Sequence, residues 1–141
     1  MSEASIPMKD LSNDAIGEAV RRIVADALGR AEADVRLASI LMDDLGAESL
    51  DFLDIVFRLE REFDIQITRG EMERAARGDL SAEEFAPGGV LSDRGLARLR
   101  ELMPEAADRI KPGLRPSTIL TLFSVQTFAN MVIGKRDGRS V

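Results

Sequence analysis

The stretch Leu50-Asp-Phe-Leu-Asp-Ile-Val-Phe-Arg-Leu-Glu-Arg-Glu-Phe63 carries apolar residues on two faces of one helix. At about 100° per residue, Phe52, Ile55, Val56, Leu59 and Phe63 form one broad stripe. Leu50, Leu53 and Phe57 form a second, offset by about a third of a turn or more. Asp51, Asp54, Arg58, Arg61 and Glu62 fill what remains. One stripe suffices to seat a helix in a small bundle. The second implies a wider core or a contact with something outside the chain.

The rest of the sequence reads as more helix. From Asn13 to Leu28 the residues Ile16, Val20, Ile23, Val24 and Ala27 recur at three and four. Ser12 or Asn13 is a candidate cap and Gly29 a stop. Arg30 to Gly46 reads as a long irregular connection, packed down through Val35, Leu37, Ile40, Leu41, Met42 and Leu45. Ile65 and Ile67 flank Gln66 in a short extended link. Thr68-x-x-Glu71 and Ser81-x-x-Glu84 are capping-box signatures, the first opening a helix to about Ala76. Ser92 can cap a helix carrying Leu96, Leu99, Leu102 and Met103, ended by Pro104. A last helix is predicted from Val125 to Ile133, with Gly134 as its stop and Lys135 to Val141 as a polar tail. Residues 1–11 read as a loose arm. No segment alternates with period two, so the expectation is an all-α bundle with short helices and long loops.

Several chemistries are excluded by what is missing. The 141 residues contain no cysteine and no histidine. Disulfides, thiolate metal sites, most zinc sites and any Ser-His-Asp triad are thereby removed. Twenty-five acidic residues against nineteen basic argue against nucleic acid and for basic protein partners. Ser117 to Gly134 is uncharged, but Ser117, Thr118, Thr121, Ser124, Gln126, Thr127 and Asn130 interrupt it, so no membrane span is expected. Met1 to Asp10 has no apolar core of a signal peptide, and a cytoplasmic location is expected.

Ser49 follows the acidic, glycine-containing turn Asp43-Asp-Leu-Gly-Ala-Glu48. A serine hydroxyl needs a neighbouring base to become a nucleophile, and the only lysines, Lys9, Lys111 and Lys135, are distant in sequence. Ser49 is therefore a better recipient of a group than an attacker of substrate, and no enzyme is expected. Backbone N–H groups and the helix dipole favour an attached phosphate there by ~0.3–1 kcal/mol. A serine ahead of an apolar-periodic run is also the usual N-cap, worth ~1 kcal/mol. On the residues alone both readings stand.

Asp44-Leu-Gly-Ala-Glu-Ser49-Leu50-Asp51, followed by Ile55-Val56-x-x-Leu59-Glu60-x-Glu62-Phe63-x-Ile65, resembles the signature of the acyl carrier protein family. Helix one and Leu122–Val132 resemble the family's first and last helices less sharply. The resemblance implies that Ser49 carries 4′-phosphopantetheine, derived from coenzyme A, and that its thiol holds an acyl chain as a thioester. It implies that the helix after Ser49 is a recognition helix for a phosphopantetheinyl transferase, a ketosynthase and an acyltransferase with basic docking patches. Asp44, Glu48, Asp51, Asp54 and Glu60, with Asp43 and Glu62, would steer those partners. Leu50 and Phe57 would supply apolar contact, with Leu53 at a cleft edge.

Two departures are visible. Glu48 stands where the family has Asp, which implies slower modification or a dedicated modifying enzyme. The chain is also longer, with its surplus between Arg69 and Pro116. The expected layout is one domain over residues 1–141: a core of about 12–76 and 117–134, and a helical insertion of about 77–116 before the last helix. Ser49 to Phe57 further resembles specialised carriers of very-long-chain fatty acids for lipid A, which implies a role in fatty acid or lipid A acyl-chain synthesis. A peptidyl carrier domain and an unmodified helical interaction module are the alternatives.

Overall fold

Ser12 and Gly29 bracket the first helix, as the spacing predicts. A computed structural model, which describes residues 10–138, places α1 at Asn13–Leu28. The Ala15 N–H donates to the Ser12 hydroxyl at 3.0 Å, and Gly29 closes the helix in the left-handed region. Ile16, Val20 and Val24 are fully buried. Residues 1–9 and 139–141, which include most of the predicted arm and the end of the predicted tail, lie outside the described residues.

Arg30 to Gly46 is more ordered than predicted, because Leu41–Leu45 forms a short helix, α2. Five residues are too few to show a period. Its supports are the Asp44 carboxylate, which accepts the Ile40 N–H at 2.8 Å, and Gly46, which ends it at a φ of 71°. α3 follows at Ser49–Phe63. Phe52, Ile55, Val56, Leu59 and Phe63 are all buried, as the first stripe requires.

α4 spans Arg69–Arg77, opened by the predicted Thr68/Glu71 capping box. α5 is a single turn, Ala82–Phe85, opened by the Ser81/Glu84 box, and α6 spans Asp93–Leu102 with Ser92 as its cap. Two 3-10 segments, Pro104–Arg109 and Pro116–Leu122, lead to α7 at Val125–Arg136. α1 packs chiefly against α7 and α3, while α6 packs against α4 and α5. Leu96, Leu99 and Met103 join the same apolar cluster as Ile55, Leu59 and Phe128. Among the described residues there is no strand, and the fold is all-α.

Two details set the frame around Ser49. The connection before α2 is stitched to the start of α7: Leu41 N–H donates to Phe123 O at 2.9 Å, Val125 N–H to Ser39 O at 3.1 Å, and Gln126 N–H to Leu37 O at 2.8 Å. The surplus segment ties back as well. Arg109 pairs with Asp43 at 2.6 Å, and the Ser124 hydroxyl donates to Glu105.

α7 runs past its predicted stop. Gly134 is buried inside the helix, which ends at Arg136. Tertiary contacts extend it: Lys135 pairs with Glu71, and the Arg136 guanidinium donates to Leu11 O at 2.8 Å. Both cations also suit a helix C-terminus. Lys135 and Arg136 are thus structural rather than part of a tail.

The hydrogen bond from Lys135, chiefly, holds the Glu71 carboxyl below its ordinary value. A depressed carboxylate stabilises the fold above its unfolded pKa, and that stability is lost as pH falls through the folded one. Glu71→Gln is therefore expected to lower the melting temperature at neutral pH. The deficit should shrink below about pH 4 and vanish in more acid solution, as melting curves across pH would show.

Candidate functional site

Gly46 turns the chain out of α2, Ala47 is buried, and Glu48 in extended backbone becomes the N-cap of α3. Ser49 is consequently the first residue of the helix, one position earlier than the predicted start and one position past the cap. The Asp51 carboxylate reaches back to accept the Glu48 N–H at 2.7 Å, so the helix start is supported without Ser49. Ser49 is exposed, and among the described residues its hydroxyl has no hydrogen-bond partner. The capping role that a serine there suggests belongs to its neighbours.

The second apolar stripe points away from the core. Leu50 is 75% exposed, Leu53 54% and Phe57 59%. Three large apolar side chains on one face of one helix, beginning beside Ser49, form a surface without an internal partner. Exposed apolar surface gathered in this way marks a contact site.

The carboxylates around this face are less free than the sequence suggests. Residues 43–64 hold eight carboxylates and two arginines, and that balance of −6 equals the formal charge of the whole chain. The acidic character is therefore concentrated at this site. Yet Asp43 is paired with Arg109, Asp44 accepts the Ile40 N–H, and Asp51 accepts the Glu48 N–H. Asp54 accepts from Arg58 at 3.1 Å, and Glu60 accepts the Ile67 N–H at 2.9 Å. Glu62 and Asp64 remain outward, while the exposed Glu48 side chain takes part in the capping box with Asp51. Sequence reasoning found the acids but not these bonds, because the partners of Asp43, Asp44 and Glu60 come within reach only in the folded chain.

One consequence is measurable. Asp51→Ala is expected to destabilise the fold by about 1 kcal/mol, since it removes half of a capping box. Denaturant unfolding would show it as a lowered midpoint at unchanged slope. Asp51→Arg would confound lost stability with any loss of docking, so Glu62→Arg is the cleaner charge probe.

Residues 18–76 match the family model described as "Phosphopantetheine attachment site". That domain is the attachment site of a covalent 4′-phosphopantetheine prosthetic group. The matched span runs from within α1 to the penultimate residue of α4, and leaves the surplus segment and α7 outside it. No solved structure matches the chain. Within the matched span three side chains carry hydroxyls: Ser39, Ser49 and Thr68. Ser39 is buried and its oxygen accepts the Arg36 N–H, while Thr68 accepts the Glu71 N–H as a helix cap. The start of α3 thus fits the group: an open hydroxyl at the head of a helix, where first-turn N–H groups lack intrahelical partners.

Proposed function

We propose that this protein is an acyl carrier whose Ser49 receives 4′-phosphopantetheine and whose α3 presents it to partner enzymes. The observation that carries the proposal is the free hydroxyl of Ser49, in a matched span whose other two hydroxyls are engaged within the fold. In the modification step, the Ser49 oxygen attacks the phosphorus of coenzyme A that bears the pantetheine. Its proton passes to a base of the transferase. The phosphoanhydride bond breaks, adenosine 3′,5′-bisphosphate leaves, and a phosphodiester remains on Ser49. Once attached, the group supplies a thiol that holds the acyl chain as a thioester. The chain's own part is to present the hydroxyl, keep the helix start rigid through Glu48 and Asp51, and offer a docking face.

Leu50, Leu53 and Phe57 are the apolar anchors of that face, and the acidic surround steers basic partners towards it. Because Asp43, Asp44, Asp51, Asp54 and Glu60 are held by bonds within the chain, they form a fixed negative field. Glu62 and Asp64 are left to pair directly with a partner. Transferase, ketosynthase and acyltransferase are the partners proposed, acting in the cytoplasm on fatty acid or lipid A acyl chains. The resemblance of Ser49–Phe57 to carriers of very-long-chain fatty acids supports the lipid A branch of that reading.

The test is incubation with coenzyme A and a phosphopantetheinyl transferase, followed by intact mass and peptide fragmentation. One phosphopantetheine unit should be gained, on the peptide that contains Ser49. No gain with several transferases would refute the carrier reading.

A further inference from the structure

α2 is too short to hold itself in place. A helix of five residues has almost no stability of its own, so its direction is set by what grips it from outside. Two of its grips are arginines from distant parts of the chain. The Arg30 guanidinium donates to Leu45 O, the last carbonyl of α2, at 2.8 Å. Arg109 pairs with the Asp43 carboxylate, in the middle of the helix, at 2.6 Å.

Both arginines stand on fixed backbone. Arg30 follows the left-handed Gly29 that closes α1, and its N–H donates to Ala25 O at 2.8 Å. Arg109 lies between the buried Ala106 and Ile110, and the Arg100 guanidinium holds the Ile110 carbonyl at 2.7 Å. The position of α2 is thereby referred to α1 through one arginine and to the surplus segment through the other.

The turn that presents Ser49 begins where Arg30 acts. A β-carbon at Gly46 would stand 3.7 Å from the Arg30 Nη2, so the guanidinium lies against the turn itself. Gly46, Ala47 and Glu48 are all that separates Leu45 from Ser49. The Gly46 N–H donates back to Met42 O and the Ala47 N–H to Leu41 O, so a tilt of α2 carries the turn with it.

We propose that Arg30 and Arg109 are positioning residues for the modification of Ser49: together they clamp α2, and α2 aims the turn that offers the hydroxyl. The inference rests on the carrier reading. It gives the surplus segment a part in the reaction, since Arg109 lies outside the matched residues 18–76. A misplacement of about 1 Å can cost on the order of 10²-fold in rate, whereas exposed ion pairs add little to global stability. Rate and melting should therefore separate.

The test follows mass gain with coenzyme A and a phosphopantetheinyl transferase, at varied carrier concentration. Arg30→Met keeps the length of the stem and removes the donors. It should lower kcat about fivefold or more with little change in KM, and Arg30→Lys, which restores one donor, should lie closer to wild type. Arg109→Met and Asp43→Asn break the pair from opposite ends. Each should lower kcat by about twofold or more, and the two combined should do no worse than either alone. Were the pair only a matter of charge steering, Arg109→Met would instead speed a basic partner and act on KM. An unchanged or raised kcat in Arg30→Met, or a faster Arg109→Met, overturns the clamp.

Amide hydrogen exchange separates a local clamp from a general loss of stability. In Arg30→Met it should rise about threefold or more at Gly46 and Ala47 and stay unchanged at Val20 and Val24 in α1. An equal rise at all four, or none at Gly46 and Ala47, overturns the clamp. Absence of mass gain in the wild type removes the carrier reading, and the role in modification with it. Full-rate modification of Arg30→Met removes the clamp alone.

Discussion

Ser49→Ala is expected to abolish attachment of phosphopantetheine completely while changing stability by no more than about 0.5 kcal/mol. The two halves of this expectation come from one piece of geometry. The hydroxyl is exposed and bonds to nothing within the described residues, so its removal orphans no donor or acceptor. The helix start is held by Glu48 as cap and by the Asp51 carboxylate, both untouched by the change. A capping serine would instead cost about 1 kcal/mol on substitution. Intact mass with coenzyme A and a transferase reads the first half, and denaturant unfolding the second. Full mass gain in the variant would mean that another hydroxyl accepts the group.

Phe128→Ala should have the largest effect on stability, a loss of about 3–5 kcal/mol. Phe128 is fully buried, with ring centroids 6.0 Å from Phe52 and 5.6 Å from Phe123. Its ring therefore joins α7, α3 and the residue that follows the 116–122 segment at one point. Set against a typical total of about 5–15 kcal/mol, such a loss brings the fold near its limit. The melting temperature should fall by on the order of 10 °C. Because Leu96, Leu99 and Met103 belong to the same apolar cluster as Phe128, the loss should appear in one cooperative transition. Two separated calorimetric transitions would show that the surplus segment melts as its own unit.

Much of this arrangement is legible in the sequence, and the unread parts share a cause. The buried and exposed stripes of α3, the caps Ser12, Thr68, Ser81 and Ser92, and the all-α class follow from periodicity and capping chemistry. Those signals act over three or four residues. α2 escapes because five residues hold no period, and α7 overruns Gly134 because its last turn is fixed by Glu71 and Leu11, far away in sequence. At the site, position and exposure of Ser49, Leu50 and Phe57 were readable. The bonds that hold Asp44, Asp51 and Glu60 to backbone donors were not, since only the folded turns bring those donors within reach. A groove of about 600 Å³ between α4, residues 82–89 and residues 116–123 is less visible still. Its walls come from three separated segments, and each alone resembles an ordinary amphipathic or loop stretch.

The stitch between residues 37–41 and 123–126 bears on when the protein becomes usable. Its partners are more than eighty residues apart, so closing it means fixing a long loop before any hydrogen bond is gained. Contacts of such separation slow folding and form late. A chain emerging from the ribosome can build α1 and α3 early. The turn that presents Ser49 is then framed only after residue 126 has been made. The topology thus sets an order of assembly, with α1 and α3 early and the frame around the Ser49 turn last.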